Sequence, residues 1–206
     1  MKAEGRVLNL GCGNMILAYA INHDLMKREG VDEVWDLNVL PWPWEDNSFD
    51  YVIAKAVLEH LQHDLLTSMN ELWRILAPEG IVEIKLPYWK SEASYNDLTH
   101  RYVYGLGIFD GLDPDTKRGR MYGFYTERKW RILYPPILNK SVSCVSCRLK
   151  VRKNDSVQVV GNGEGDQAAH CGDGPEDTQA TGVDSPDSRP DAPLSGDGLV
   201  LVGPTI

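Results

Sequence analysis

The amino-acid sequence predicts an α/β domain, and three observations support that prediction. Short apolar runs alternate with helical patterns from the N-terminus to Lys153, as they do in sheets whose strands are joined by helices. A glycine turn, Gly11-Cys12-Gly13, follows directly on the first apolar run. Beyond Asp64, the apolar residues recur with the period of an amphipathic helix.

Four strands are expected before the first clear helix. They are the apolar runs at residues 6–10, 19–24, 33–36 and 51–54. The second run could instead be drawn into a helix by the apolar residues 15–18 that precede it. The turn sequence Asp46-Asn47-Ser48 introduces the fourth strand.

The clearest helix begins at Asp64, which is a suitable N-cap residue. Residues 77–80 (APEG) end it, and the alternating run 81–86 supplies a fifth strand. The stretch 87–118 is polar, aromatic-rich and too long for a simple connection, so we expect a lid-like segment there. Two further strands are predicted near residues 121–126 and 142–151.

The net charge of −9 is confined to the C-terminal part of the chain. Residues 1–153 contain 20 acidic and 20 basic side chains, whereas residues 154–206 contain 10 acidic side chains and one basic side chain. The C-terminal part also has 9 glycines, 5 prolines and no aromatic residue, so it cannot bury enough apolar surface to offset the entropy of ordering it. We therefore predict a domain at 1–153 and an acidic, disordered tail at 154–206 that carries no chemistry.

Composition excludes several classes of protein. No apolar run approaches the roughly 20 residues that a membrane-spanning helix needs, and the first strand begins too early to leave room for a signal peptide. The four cysteines are too few and too scattered for a disulfide scaffold, which favours a cytoplasmic protein. A domain without net charge is not expected to bind nucleic acid non-specifically. Composition does not indicate an oligomeric state.

The strand–Gly11-x-Gly13 turn is the most informative motif, because glycines let the backbone turn sharply and approach a ligand closely. A phosphate-binding loop would need Gly-Lys-Ser/Thr next, and the sequence has Asn14-Met15-Ile16. A dinucleotide fingerprint would need a third glycine, which disfavours a nicotinamide cofactor. Asp24 and Asp36 follow the second and third predicted strands, where a carboxylate could bind a ribose diol or an adenine amino group. The combination favours a nucleoside-containing ligand.

Six short segments occur in the order and at the spacing of a known family: residues 8–14 (LNLGCGN), 22–25 (NHDL), 36–37 (DL), 40–50 (LPWPWEDNSFD), 57–61 (VLEHL) and 74–80 (RILAPEG). Together they resemble the class I S-adenosylmethionine-dependent methyltransferases. More narrowly, they resemble a short bacterial and phage branch of the group that includes the ubiquinone and menaquinone biosynthesis type. The resemblance covers residues 6–150 and implies a Rossmann-like seven-stranded sheet whose last strand is antiparallel. It also implies S-adenosylmethionine as cofactor, bound across the carboxyl ends of the strands.

The resemblance implies nine cofactor contacts: Asn9, Gly11, Cys12 and Gly13 around the glycine turn, Asp24 at the ribose, Asp36 and Leu37 at the adenine, and Ala54 and Lys55 beside the methionine part. The sequence departs from the family pattern at four places, one of which is the absence of a later glycine. Asn9 stands where an acidic residue is often found, and Glu79 replaces the first glycine of a common Pro-Gly-Gly turn. The first helix is abbreviated, so we expect a more open cofactor site.

Methyl transfer from a sulfonium needs the acceptor, methyl group and sulfur in line, and a hydroxyl or amine acceptor must also lose a proton. His60 follows the fourth strand, and His100 lies in the lid-like segment between Asp97 and Arg101. There a carboxylate could orient the imidazole, and a guanidinium could hold an anionic acceptor. We predict His100, His60 and Asp97 as catalytic residues and Tyr88 and Arg101 as acceptor-binding residues.

The predicted function is methyl transfer to a small-molecule, sugar or lipid-linked acceptor. Two alternatives stay open: a catalytically silent S-adenosylmethionine-binding partner protein, and a nucleic-acid base methyltransferase. The segment 86–89 (LPYW) resembles the Pro-Pro-Tyr motif of amino-methyltransferases, but that motif normally follows the fourth strand and has a second proline. We predict no metal site, because Cys144 and Cys147 would lie on opposite faces of a strand and the pair His170-Cys171 falls in the tail.

Overall fold

The computed structural model describes residues 6–139 and 144–153, except for the side chains of residues 138 and 139. The described residues form a seven-stranded sheet of β1 (Val7–Leu10), β2 (Ile21–Asp24), β3 (Glu33–Val34), β4 (Phe49–Lys55), β5 (Leu76–Pro87), β6 (Trp130–Asn139) and β7 (Cys144–Val151). The same residues include the helices α1 (Leu65–Ile75) and α2 (Lys117–Tyr122). Short 3-10 helices lie at Leu58–His60, Glu92–Ser94, Asp110–Leu112 and Gly123–Tyr125.

The strand order is β3-β2-β1-β4-β5-β7-β6. The first five strands are parallel, and β7 runs antiparallel to both β5 and β6. The predicted Rossmann-like seven-stranded sheet with an antiparallel last strand is therefore confirmed. Because parallel strands share one carboxyl edge, the glycine turn after β1, Asp24 at the end of β2 and the residues after β4 lie at the same edge.

Two strands differ from their predicted positions. β5 begins at Leu76, which already pairs with Phe49, and the ladder resumes at Ile81 after an irregularity. The predicted strand at 121–126 is wrong, because α2 and a 3-10 helix occupy that region. The sixth strand lies further along the chain, as β6. Its register shifts between Tyr134 and Ile137, where two prolines lie. β6 tolerates them because it is an edge strand and because its ladder with β7 is interrupted at these two residues.

Turns rather than helices connect the first strands: residues 11–48, all described, contain no helix. In the turn between β1 and β2, two buried asparagines satisfy backbone groups that a helix would satisfy internally. The Asn22 amide accepts from the Leu17 N–H at 2.9 Å and donates to the Leu17 carbonyl at 3.0 Å. Asn9 Nδ2 donates to the Met15 carbonyl at 2.7 Å and to Asn22 Oδ1 at 3.0 Å. Asn9 therefore supports the turn that replaces the first helix.

The two faces of the central strands differ. One face carries apolar side chains that pack with α1 in the core: Val52, Val82, Ile84, Leu86, Leu149 and Val151, with Met69, Leu72 and Ile75 from α1. On the other face, Glu83 accepts from the Tyr51 hydroxyl at 2.9 Å and from Arg148 Nε at 3.0 Å, and its carboxylate lies 2.7 Å from Lys55 Nζ. This alternation is typical of strands that pack on one side and meet water on the other.

The connection from β3 to β4 is anchored to α1 by a buried carboxylate. Glu71 accepts from the Trp42 N–H at 2.8 Å and from Arg74 at 2.8 and 3.0 Å. Arg74 also donates to the carbonyls of Trp42 and Trp44. The buried Trp42 ring in turn donates to the Leu37 carbonyl at 2.9 Å, so this network holds Leu37 in place. The start of α1 is as predicted, since Asp64 accepts from the Thr67 N–H at 2.8 Å.

The predicted tail at 154–206, with His170 and Cys171, lies outside the described residues. Cys144 and Cys147 are three residues apart in β7 and so lie on opposite faces of the strand, as predicted. Of the helices in the described part of the chain, none is both long and apolar enough to cross a membrane.

Candidate active site

A cavity of about 520 Å³ opens at the carboxyl edge of the parallel strands. Its walls come from five parts of the chain: Gly11 and Gly13; His23, Asp24, Leu25 and Arg28; Trp35, Asp36, Leu37 and Asn38; Ala56, Val57, His60 and Leu61; and Thr99 and Arg101. Open α/β sheets bind their ligands at this edge. The volume lies within the range of about 300–1,000 Å³ that small-molecule and cofactor sites occupy.

The two glycines of the turn have different structural roles. Both have left-handed backbones, with φ of 64° at Gly11 and 54° at Gly13. A Cβ at Gly11 would lie 2.4 Å from Val57 Cγ2, so this glycine lets the turn pack against the residues after β4. A Cβ at Gly13 would meet nothing within 4 Å. Because Gly13 lines the cavity, the missing side chain leaves room there for a ligand.

Asp24 joins the two strands that flank the cavity. Its Oδ2 accepts from the Gly13 N–H at 2.8 Å, and its Oδ1 accepts from the Met26 N–H at 3.0 Å. A carboxylate has about four acceptor positions, so it can still accept hydrogen bonds from two hydroxyls. The free acceptor positions of Asp24 at this end of the cavity therefore fit a nucleoside with a free ribose diol, such as S-adenosylmethionine.

The wall that follows β3 has a polar and an apolar part. Asp36 is exposed, and its Oδ1 accepts from the backbone and side chain of Asn38, both at 2.9 Å. Leu37 is buried beside it, and the half-buried Trp35 adds an aromatic surface. Trp35 and Arg28 were not predicted from the sequence, although an aromatic residue directly after a strand at this edge was a usable signal.

Four residues predicted as cofactor contacts do not line the cavity. Asn9 supports the turn after β1, and Cys12 is buried. Ala54 is fully buried, and Lys55 pairs with a carboxylate on the water-facing side of the sheet. The wall after β4 is formed two residues later than expected, by Ala56 and Val57, because β4 continues through Lys55.

At the other end of the cavity, His60 is oriented by the lid-like segment. Its Nδ1 lies 2.7 Å from Thr99 Oγ1. The Thr99 hydroxyl donates to Asp97 Oδ1 at 2.6 Å, so Thr99 Oγ1 is available to accept from an Nδ1–H of His60. Burial, followed by the neighbouring His100, lowers the pKa of His60, which favours the neutral ring. His60 then keeps a lone pair on Nε2.

His100 and Asp97, the other predicted catalytic residues, lie beside the cavity rather than in its wall. His100 packs edge-on against His60 with 4.8 Å between ring centroids, and its Nδ1 lies 3.3 Å from the Ser94 carbonyl. Asp97 acts on His60 through Thr99, and hydrogen bonds from Thr99 lower the pKa of its carboxyl. Asp97 is therefore a positioning residue. Arg101 does line the cavity, where its N–H donates to the Glu59 carbonyl at 2.8 Å.

Glu59 is the residue at this end that the sequence analysis missed. Its side chain is 1% exposed, and its Oε1 lies 4.0 Å from His100 Nε2. Burial raises the pKa of Glu59 to about 7. A charged residue between apolar neighbours in the segment 57–61 was the available signal.

Tyr88, predicted to bind the acceptor, does not line the cavity. Its carbonyl accepts from the hydroxyls of Ser91 and Ser94 at 2.7 and 2.6 Å, and its ring packs edge-on against Trp89. Ser94 is the residue whose carbonyl faces His100. Tyr88 thus supports the first turn of the lid-like segment through its backbone.

Comparison with known proteins supports a methyltransferase domain. The sequence model of the family described as "Methyltransferase domain" matches residues 8–84. No curated protein sequence matches the chain.

Three solved structures have distant similarity to this chain. An S-adenosylmethionine-dependent methyltransferase from Mesorhizobium loti is 13% identical, with 71% of this chain and 91% of that chain covered and a TM-score of 0.44. One from Aquifex aeolicus is 13% identical, with 72% and 83% covered and a TM-score of 0.44. The 1,6-didemethyltoxoflavin-N1-methyltransferase of Burkholderia thailandensis, solved with S-adenosylhomocysteine, is 15% identical, with 73% and 72% covered and a TM-score of 0.43. All three likenesses are distant.

The family match runs from β1 through most of β5. It therefore includes the glycine turn, Asp24 and the residues after β4 that line the cavity, but not Thr99 and Arg101. The chain therefore contains a segment of a methyltransferase domain at residues 8–84, and S-adenosylmethionine is the cofactor that this match and the cavity support.

Proposed function

We propose that this enzyme methylates a small acceptor, a sugar or lipid-linked metabolite that carries an anionic group. One observation supports the proposal most directly. The same cavity is lined by Gly13 and Asp24 at one end and by His60, Thr99 and Arg101 at the other. A nucleoside cofactor and a small acceptor can therefore share one space, as in-line methyl transfer requires.

The cofactor end would be held by the chain's own acceptors and apolar walls. Asp24 would accept hydrogen bonds from the ribose hydroxyls, while Asp36 and Leu37 would border the adenine. Ala56 and Val57, which line the cavity, would border the methionine part in place of Ala54 and Lys55. S-adenosylmethionine, when bound, supplies a methyl group activated on a sulfonium, so the main task of the protein is alignment.

The acceptor end combines a cation with a group that can receive a proton. Arg101 is exposed at the cavity wall, where its guanidinium can bind a phosphate or carboxylate through paired hydrogen bonds. His60 keeps a lone pair on Nε2 because Thr99 holds Nδ1, and it can handle the proton of an acceptor hydroxyl or amine. The neutral charge of the domain, with a local cation in the site, suits a small anionic acceptor better than a polyanion.

The proposal is tested by incubating the protein with methyl-labelled S-adenosylmethionine and fractionated cell material. We expect label in the small-molecule or lipid fraction. Label in the nucleic-acid fraction would favour the base-methyltransferase alternative. Cofactor binding without transfer to any fraction would favour the silent partner-protein alternative.

Arg101→Ala provides the test of the acceptor site once an acceptor is found. We expect a KM for the acceptor raised at least tenfold, with the affinity for S-adenosylmethionine unchanged. Arg6→Ala is the matched control, because Arg6 pairs with Asp50 away from the cavity. An unchanged KM in the Arg101 variant would remove this residue from the acceptor site.

A further inference from the structure

Three side chains at the acceptor end form a group with the composition of a metal site. One ligand atom from each of Glu59, His60 and His100 can be chosen so that all three lie within 4.8 Å of one another. Metal–ligand bonds of about 2.1 Å in a tetrahedron place ligand atoms about 3.4 Å apart. A shift of roughly 1 Å in side chains would therefore bring the three atoms to bonding positions around one ion.

Both histidines already have, at Nδ1, the kind of hydrogen bond that metal-bound histidines make with the other ring nitrogen. Metal-bound histidines almost always donate the other ring N–H to an oxygen, which fixes the tautomer. His100 Nδ1 faces the Ser94 carbonyl at 3.3 Å, and a carbonyl can only accept, so this nitrogen carries the proton. His60 Nδ1 faces Thr99 Oγ1, whose own proton is directed to Asp97. Both rings are thus left with a lone pair on Nε2, and His100 Nε2 points toward Glu59.

The carboxylate of Glu59 supplies an independent observation. The side chain is 1% exposed, and Oε2 has no hydrogen-bond partner among the described residues. Buried carboxylates are normally paired with a cation, fully hydrogen-bonded or bound to a metal. Its contact with His100 is long, at 4.0 Å, and the nearby Tyr104 hydroxyl is also buried without a partner in the described part of the chain. A divalent cation between Glu59 and the two imidazoles would supply the missing partner.

We propose that Glu59, His60 and His100 bind a divalent transition-metal ion of the zinc class, with an open coordination position that faces the cavity. Two imidazoles and one carboxylate suit zinc and cobalt, and three protein ligands with one open position are typical of catalytic rather than structural sites. The open position faces the cavity because His60 forms part of its wall.

The role of the ion rests on the proposed function. Bound at the open position, a hydroxyl of the acceptor loses its proton to solvent more readily, because the cation stabilises the oxyanion. The new O–C bond forms as the S–C bond breaks, and the positive sulfonium becomes a neutral thioether. In the metal-bound protein this replaces the proton-handling role proposed above for His60, because its Nε2 lone pair binds the ion and the ion assists the loss of the acceptor proton.

The site is tested by titrating the full-length, metal-stripped protein with Co²⁺, without cofactor or acceptor. We expect one equivalent to bind with the visible bands of low-coordinate cobalt and without the near-ultraviolet band of a thiolate ligand. Glu59→Gln and His100→Gln should each weaken binding at least tenfold. Thr99→Val, which removes the hydrogen-bond partner of His60, should weaken it by about 10–100-fold, as other outer-shell changes do.

Two controls keep the result specific. His63→Gln leaves the three ligands intact, because His63 bonds to Leu37 and Ser68 instead, and His170→Gln removes the histidine that lies outside the described residues. Both variants should bind Co²⁺ as the unaltered protein does. Thermal unfolding adds a second readout: Zn²⁺ should raise the Tm of the unaltered protein but not of Glu59→Gln.

Binding that survives Glu59→Gln and His100→Gln, or that shows a thiolate band, would overturn the proposal. A Glu59→Gln protein that unfolds at the same temperature without metal would show that any loss of binding is not a loss of folding. The titration contains no cofactor, so it is independent of methyl transfer. Conversely, absence of methyl transfer from a protein that binds Co²⁺ at this site would count against the proposed function alone.

Discussion

Asp24 Oδ2 accepts a hydrogen bond of 2.8 Å from the backbone N–H of Gly13. The carboxylate at the end of β2 therefore fixes the glycine turn after β1, and it faces the cavity at the same time. The two features that first indicated a nucleoside ligand are thus parts of one structural unit.

Removing this carboxylate should weaken cofactor binding. Hydrogen bonds to a charged group contribute about 1.5–3 kcal/mol, so Asp24→Ala should raise the Kd for S-adenosylmethionine by about 10–150-fold. Calorimetric titration measures the change. Asp50→Asn, at an exposed position outside the cavity, is the control and should bind normally. Unchanged binding by Asp24→Ala would refute the ribose assignment.

The two glycines should respond differently to alanine. Gly11→Ala combines a left-handed φ with a Cβ that would lie 2.4 Å from Val57, so it should destabilise the fold by about 2 kcal/mol or more. Gly13→Ala carries only the left-handed cost of about 1–2 kcal/mol, but its Cβ enters the cavity. Urea unfolding and cofactor titration separate the two effects. Equal loss of stability with normal binding in both variants would contradict this division.

The asparagine pair beneath the first turn should be important for stability. Asn22→Ala removes the partner of the Leu17 N–H and of Asn9 Nδ2, and each orphaned group costs about 1–3 kcal/mol. We expect a total loss of about 3 kcal/mol by urea unfolding. Asn14→Ala, at an exposed position in the same turn, should change stability by less than about 0.5 kcal/mol. A loss of less than 1 kcal/mol for Asn22→Ala would show that the turn does not depend on this amide.

Glu71 should make stability depend on pH in the acid range. Burial by itself raises the pKa of Glu71, but hydrogen bonds from Arg74 and from the Trp42 N–H outweigh it and lower the pKa below its ordinary value. The unfolded chain therefore binds a proton at higher pH, near about 4.3, than the folded one. The stabilisation is complete above that pH and is lost as the pH falls through the folded pKa.

Unfolding curves measured from pH 7 to pH 3 test this sign. Glu71→Gln should be less stable than the unaltered protein at pH 7, and the difference should shrink toward pH 3. Glu92→Gln, at an exposed position far from α1 in sequence, provides the comparison and should show a smaller difference throughout. A gap that stays constant with pH would mean that Glu71 is not ionised in the folded protein.

The proposed boundary of the domain can be tested by truncation. A chain that ends at Lys153 should bind S-adenosylmethionine as the full chain does. A chain that ends at Val151 should be less stable, because Lys153 Nζ donates to Asn47 Oδ1 at 2.7 Å and Arg152 pairs with Asp113. Loss of S-adenosylmethionine binding in the chain that ends at Lys153 would show that the tail contributes to the domain.

Local pattern was enough to predict most of the sheet. The apolar runs of β1, β4 and β7 and the capped helix α1 are each specified by residues close in sequence, and they lie where expected. β6 could not be predicted in this way, because Pro135 and Pro136 argue against a strand unless its edge position is known. The bulged start of β5 was missed for a similar reason, since Leu76 belongs to the sheet only through its pairing with Phe49.

By itself, the sequence determined the fold class, the positions of most strands along the chain and the glycine turn with its partner Asp24. These follow from periodicity and from short motifs that act over neighbouring residues. Only the tertiary structure decided which residues line the cavity. Ala56 and Val57 line it, whereas Ala54 and Lys55 do not. It also brought Glu59 and His60 beside His100, about 40 residues further along the chain, because the lid-like segment folds back over the 3-10 helix after β4. Contacts of that kind depend on where two segments far apart in sequence meet, and no local pattern of residues encodes such a meeting.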